Sequence, residues 1–197
     1  MVYLGIIKRE RVGMVDRIEM NKAVSLGYGN LDYLDLVGRA FGCDIYVETV
    51  ESTAIVVWVY DRNVTKRMRR GKWLDDCPNT METRYRIPAK VCLSKEHGAW
   101  HVDLLQVDSR YKGKNLAIKT YKFLMNKMDI TLKAGSNQSA GGRYVWNKLA
   151  KTSGVTVYAK KSPYSKVFDF PKTGNRELAG NMFNLYDSAA EIFAVAA

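Results

Sequence analysis

The segment from His101 to Leu149 constrains the fold of this 197-residue chain more than any other part of it. It begins with a short apolar strand pattern, HVDLLQV, which is followed at once by RYKGKNLA and then by a segment of helical periodicity. Unpaired backbone N–H groups at the start of a helix favour an anion, because those groups and the helix dipole both point at it. The order of these pieces predicts a loop that binds a pyrophosphate, with a glycine at the mouth of the helix.

The rest of the chain predicts further strands and helices around this loop. Alternating β-branched and aromatic residues in DIYVETV and TAIVVWVYD predict one hairpin, and RYRIPAKVCL with HVDLLQV predicts a second, joined at residues 96–98. Strands are also predicted at residues 2–8, in ITLKA and in VTVYAK at 155–160. Residues 30–41 predict a helix, because Asn30 can cap it and Gly42 can end it. After the loop, a core-facing helical stripe is formed by Ala117, Tyr121, Leu124 and Met128.

Two short clusters carry a family resemblance. Arg110 and Gly113 match the pattern Q/R-x-x-G-x-G/A, in which Asn115 occupies the position of the final Gly or Ala. A second cluster, Asn137, Ala140 and Tyr144, follows the ITLKA strand at the expected distance. Over residues 100–160 the chain therefore resembles the GNAT superfamily of N-acetyltransferases, and SNQSAGGRYVWNKLA resembles acetyltransferase-like proteins encoded by bacteriophages.

The resemblance implies an α/β (α+β) fold with a mixed central sheet of about six to seven strands flanked by helices. It implies acetyl-CoA as cosubstrate, and the residues expected to bind it are Val107, Arg110, Lys112, Gly113, Lys114, Asn115, Leu116, Ala117 and Asn137. Asn137 would contact the pantetheine arm or cap the following helix, and both roles are compatible. Gly141 and Gly142 indicate either close approach of a ligand or a helix that begins only at Arg143.

Acetyl transfer to an amine needs a base for the amine and an acid for the departing thiolate. The resemblance makes Tyr144 the acid, with Tyr158 as the alternative, although Tyr144 could equally be a helix tyrosine whose ring packs in the core. The base is expected to be Asp103, with Glu96 and His101 as alternatives. No metal is implied.

Residues 1–170 are expected to form one acetyltransferase-like domain, since the length suits a single core. Residues 171–197 predict a C-terminal helical extension that docks on its own domain or on a second chain, as a monomer or a homodimer. Its apolar seam is formed by Leu178, Met182, Leu185, Ala189 and Ile192. No long apolar run predicts a membrane span, so a cytoplasmic protein is expected, in the host cytoplasm if a phage encodes it. Cys43, Cys77 and Cys92 lack metal or disulfide spacing and are expected to be reduced thiols.

The formal net charge of +11 favours anionic partners. The densest basic run extends from Arg62 to Lys72 and predicts an exposed loop or short helix. It could bind nucleic acid or an acidic host protein, or could be only a solvated connector. The residues of this candidate interface are Lys66, Arg67, Arg69, Arg70, Lys72 and Trp73.

The sequence therefore predicts an N-acyltransferase that moves acetyl from acetyl-CoA to an amine on a nucleic-acid or protein acceptor. The alternative is a phage-type protein of the same fold without that activity, which binds nucleic acid, modifies DNA bases or inhibits a host factor.

Overall fold

The computed structural model describes residues 26, 28–29, 31, 34–69, 81–135, 138–160, 168–169 and 191–197. In this part of the chain an α+β fold is built from one sheet and two α-helices, α1 (Leu116–Met128) and α2 (Ala140–Ala150). The ten described strands are β1 (Tyr28–Gly29), β2 (Asp35–Ala40), β3 (Cys43–Glu51), β4 (Ala54–Arg69), β5 (Met81–Glu96), β6 (Ala99–Val107), β7 (Leu132–Lys133), β8 (Val155–Lys160), β9 (Phe168–Asp169) and β10 (Glu191–Ala196).

The sheet has the order β2-β3-β4-β5-β6-β7-β10-β8-β9, and β1 pairs with β5 beside this path. Strands β2 to β6 form an antiparallel meander. The next neighbours, β6 and β7, are parallel and are connected through a loop and α1. Strand β10 lies between β7 and β8 and is antiparallel to both. The sheet is mixed, as expected, but it contains more than the six to seven strands predicted.

The main core lies between the sheet and the two helices. The helices contribute Tyr121 and Leu124 from α1 and Trp146 and Leu149 from α2, all essentially buried. Opposite them lie the apolar side chains of Ile45, Val57, Val91, Leu93, Val102, Val157 and Ile192. Burying a side chain of this size contributes about 1.5–3 kcal/mol, so this layer fixes both helices on the sheet. The predicted core stripe of α1 is confirmed for Ala117, Tyr121 and Leu124, which are buried, whereas Met128 is only partly buried.

Both predicted hairpins are confirmed, as β3–β4 and β5–β6, and so is the strand at 155–160. The prediction of a helix at 30–41 is wrong for residues 35–40, which form β2 and pair with β3. Phe41 and Gly42 have positive φ angles of 43° and 80° and make the turn between these strands. A glycine that can end a helix can equally turn a hairpin, so Gly42 could not distinguish the two structures.

The predicted C-terminal helix is wrong at its described end. Residues 191–196 form β10, and Ile192, Phe193 and Ala194 are consecutive buried residues, as in a strand that is covered on both faces. Ile192 therefore lies in the sheet and not on a helical seam. The remaining seam residues, at 178–189, and the strand predicted at 2–8 lie outside the described residues.

The basic run was predicted to be an exposed loop or short helix, but its residues up to Arg69 belong to strand β4. Strand β4 continues through residues 61–69, because Thr65 to Arg69 pair with Met81 to Tyr85 of β5. The register shifts between Asp61 and Thr65 accommodate this extension. The side chains of Lys66 and Arg67 are exposed. This part of the run is therefore a solvent-exposed strand and not a connecting loop.

Candidate functional site

The loop between β6 and α1 is shaped by two residues with left-handed backbone angles. After β6 ends at Val107, a 3₁₀ turn spans Ser109–Tyr111 and a turn of four residues leads to α1. Gly113 has a φ of +79° and Asn115 a φ of 57°. Glycine adopts such angles freely and asparagine does so more readily than most residues. The departure of Asn115 from the family pattern is therefore compatible with the backbone of this loop.

The start of α1 offers a row of backbone donors. Lys112, Lys114 and Lys119 donate their N–H groups to backbone oxygens of neighbouring residues. No hydrogen bond within the described part of the chain uses the N–H groups of Gly113, Asn115, Leu116 or Ala117. Gly113 and Asn115 are exposed, whereas Leu116 and Ala117 are buried, at 6% and 8% exposure. A Cβ added to Gly113 would meet no atom within 4 Å, which leaves the backbone there accessible.

Buried polar contacts attach this loop to the sheet. The Asp108 carboxylate accepts the N–H of Arg110 at 3.0 Å and caps the 3₁₀ turn. The same carboxylate forms a buried ion pair with Arg86 of β5 and a longer pair with the exposed Arg110. The Tyr111 hydroxyl donates to Asp61 Oδ2 at 2.7 Å, and burial together with this hydrogen bond raises the pKa of Tyr111. The loop is thus held in place from β4 and β5.

An open cleft of about 360 Å³ adjoins the loop and overlaps the predicted cofactor residues at Val107, Arg110 and Lys112. The other residues that line it are Leu26, Arg86, Gln106, Asp108 and Ser109. Because basic side chains and the buried ion pair dominate its walls, the cleft suits a polar, anionic group better than an apolar one.

Helix α2 places Lys148 against the loop, and the sequence had not indicated this lysine as a site residue. Lys148 Nζ donates to Asn115 Oδ1 at 2.5 Å and lies 5.7 Å from the centre of the Tyr144 ring. The structure therefore brings Asn115 and Tyr144 together through Lys148. The spacing of four residues places Tyr144 and Lys148 on one helix face, but nothing in the sequence indicated the contact of Lys148 with Asn115. The Tyr144 ring is 63% exposed, so it is not the core tyrosine considered as the alternative.

The beginning of α2 corrects two expectations. The N-cap is Ser139, whose Oγ accepts the N–H of Gly142 at 3.1 Å. Asn137 is therefore not the cap, and Asn137 itself lies outside the described residues. The helix begins at Ala140 and not at Arg143, so Gly141 and Gly142 lie in its first turn, where the N–H groups need no intrahelical partner.

Strands β6 and β7 separate beside a polar pair. Their parallel pairing covers only Trp100 with Leu132 and His101 with Lys133. Beyond it, Ala134 donates its N–H to Ile192 of β10. Leu93 and Cys92 are neighbours on β5, but they pair with Val102 and Leu104 of β6. Asp103, between these two, is therefore the extra residue of a β-bulge. The edge of β6 beyond His101 is consequently not covered by β7.

At this separation, His101 Nδ1 lies 2.7 Å from Asp103 Oδ1. The second carboxylate oxygen, Oδ2, is buried and has no hydrogen-bond partner within the described part of the chain. The structure thus joins two of the three candidate bases. The third, Glu96, forms an exposed ion pair with Lys133, which also pairs with Glu191 at 2.7 Å.

Of the predicted nucleic-acid interface, the structure describes the exposed side chains of Lys66 and Arg67 on β4. Arg69 belongs to β4, but its side chain, like Arg70, Lys72 and Trp73, lies outside the described residues. Two further findings apply to the described residues alone. No helix there has the length and apolar character needed to cross a membrane. No three His, Cys, Asp or Glu side chains there are grouped to hold a metal ion.

Comparisons with known proteins do not assign this site. No family model, no curated protein and no solved structure matches the chain.

Proposed function

We propose that the protein is an acetyl-CoA-dependent N-acetyltransferase of the GNAT type. The observation that carries this proposal is the separation of the parallel strands β6 and β7, with the Gly113 loop and the start of α1 at the carboxyl end of β6. Ligands of sheets with parallel strands bind at the carboxyl ends of those strands. The loop, helix, strand, helix and strand that follow the meander also support the proposal, although β2 lies where the sequence predicted an opening helix.

The residues of the loop fit the diphosphate of coenzyme A. The N–H groups of Gly113, Asn115, Leu116 and Ala117 would donate to it, as at other helix N-termini that bind phosphate. The exposed ammonium groups of Lys112 and Lys114 would neutralise its charge. Beyond Val102, whose carbonyl oxygen lies against Gly135, the edge of β6 would supply backbone groups for the pantetheine amides, in the manner of an added strand.

Acetyl-CoA supplies an activated acetyl group as a thioester. On the protein side, His101 is the proposed base, a role for which the sequence analysis had placed Asp103 first. With Nδ1–H donated to Asp103, the free Nε2 of His101 can take the proton of the acceptor amine. Asp103 holds the ring and stabilises its charge, so it acts as a positioning residue. The Tyr144 hydroxyl is the proposed proton donor for the leaving thiolate.

Thermal unfolding and calorimetry with acetyl-CoA test this proposal. Ligand at about 100 times its Kd should stabilise the folded protein by about 2.7 kcal/mol. Gly113→Val should abolish this stabilisation, because Val is strained at a φ of +79° and covers the donors beneath it.

Gly98→Val is the matched control, because Gly98 has a φ of +86° and no atom within 4 Å of an added Cβ. It lies at the opposite end of β6, roughly 26 Å along the strand. It should cost similar stability and keep the ligand effect. Binding by the Gly113 variant as tight as wild-type would contradict the loop assignment.

A second candidate function is a GNAT-type protein without acetyltransferase activity that binds or modifies nucleic acid. Asn115 favours it, because its side chain occupies the position of Gly or Ala and is held by Lys148. Stabilisation by acetyl-CoA without release of free thiol, in the presence of amine acceptors, would support this second candidate.

A further inference from the structure

The positive charge of the chain is concentrated in the segment that forms the loop and both helices. Residues 109–160 contain eleven Lys and Arg and one acidic residue, Asp129, so their formal charge is +10. The whole chain carries +11, which leaves +1 for the other 145 residues. Since α1 and α2 cover one face of the sheet, their exposed cations lie on that side of the described residues.

Most of these cations lack an acidic partner. Within the described part of the chain, no ion pair involves Lys112, Lys114, Lys119, Lys127, Lys148 or Lys151. Lys112, Lys114 and Lys148 lie at the loop, where a diphosphate would account for them. Lys119 and Lys127 on α1 and Lys151 after α2 are exposed and lie beyond this loop. A small cofactor does not account for these three.

An exposed aromatic ring accompanies these charges. Leu36 and Tyr144 are the two large hydrophobic side chains that are exposed among the described residues. Tyr144 lies on α2 and is 63% exposed, and Lys148 Nζ lies over one face of its ring, 5.7 Å from the ring centre. A flat ring among cations can stack on an unpaired base while the cations contact phosphates. An acidic protein would need the charges but not the ring.

We propose that the outer face of α1 and α2, defined here as the helical face, binds single-stranded nucleic acid. Lys119, Lys127 and Lys151 contact the phosphate backbone, and the Tyr144 ring stacks on a base. This interface lies apart from the basic run of β4 that the sequence singled out. It does not depend on acetyl transfer, so it can be correct even if acetyl-CoA does not bind.

Fluorescence anisotropy with a labelled 20-nucleotide single strand, measured over a salt series, tests the charges. Lys119→Gln/Lys127→Gln/Lys151→Gln should flatten the slope of log affinity against log salt by about 2, since each single-strand phosphate contact contributes about 0.7. The matched control is Lys66→Gln/Arg67→Gln/Lys95→Gln, which removes three exposed charges from β4 and β5 and leaves the same net charge. The control should keep the wild-type slope.

Variants of Tyr144 test whether the protein binds an unpaired base by stacking. Tyr144→Ala should weaken binding about 5- to 160-fold, which corresponds to the 1–3 kcal/mol of a stacked base, whereas Tyr144→Phe should bind as wild-type. A competing duplex or heparin of equal charge should displace the strand poorly. DNA and RNA strands of one sequence should both bind. Equal slopes for the two triple variants, a wild-type affinity of Tyr144→Ala, or tighter binding of the duplex would each overturn the proposal.

Discussion

Replacing Asp108 by Asn should destabilise the protein by about 3–5 kcal/mol. Asp108 and Arg86 are both buried, at 8% and 5% exposure, and form an ion pair beneath the candidate loop. Removing one charge of a buried pair typically costs about 3–5 kcal/mol, because the other charge stays buried. Asn retains an oxygen that can accept the N–H of Arg110, so the cap of the 3₁₀ turn is preserved and the change reports the charge.

Urea unfolding of three variants measures this cost. Glu96→Gln is the control, since it removes one charge from an exposed ion pair with Lys133 and should cost no more than about 1 kcal/mol. Arg86→Met/Asp108→Leu removes both buried charges, so most of the loss should be recovered, apart from about 1 kcal/mol for the missing cap. A loss below 1 kcal/mol for Asp108→Asn would refute the reasoning. So would a double variant that is less stable than the single one.

Two further predictions concern the proposed base with its positioning residue and a buried thiol. His101→Gln and Asp103→Asn should each lower the rate of acetyl transfer about 10²- to 10⁴-fold at unchanged acetyl-CoA affinity. Release of free thiol measures this rate, and Glu96→Gln is the control that should keep it. A wild-type rate for His101→Gln would exclude His101 as the base. Burial raises the pKa of Cys92 from its usual 9.0 to about 11, so the unfolded chain ionises first and stability falls as the pH rises through this range. Between pH 9 and 11 wild-type should lose about 2 kcal/mol more than Cys92→Ala in urea unfolding, and parallel losses would contradict this.

The sequence was most informative where a local pattern matched the final pairing. Alternation in β3 to β6 predicted both hairpins, because each strand pairs with its neighbour in the chain. The order of strand, loop and helix around Gly113 was predictable for the same reason. Asn115 has a φ of 57°, an angle that asparagine adopts more readily than most residues.

Features that depend on distant parts of the chain were not predictable in this way. β10 carries the apolar residues of a buried strand, but only β7 and β8 determine that it is one. The contact of Lys148 with Asn115 joins residues 33 apart, and the charge on the helical face depends on which sides of α1 and α2 are buried. The pairing of His101 with Asp103 was easier to predict from the sequence, because residues two apart on a strand share a face. The bulge at Asp103 modifies that rule.

The position of β10 determines when the protein can fold during its synthesis. A ribosome makes β7 and β8 long before residues 191–196, yet these residues must enter between them, with Phe193 opposite both Lys133 and Tyr158. Until then a nascent chain exposes two unpaired strand edges and cannot close this part of its core around Ile192 and Ala194. Translation that stops before residue 191 would therefore yield an aggregation-prone chain. Strand β10 therefore completes the pairing between β7 and β8.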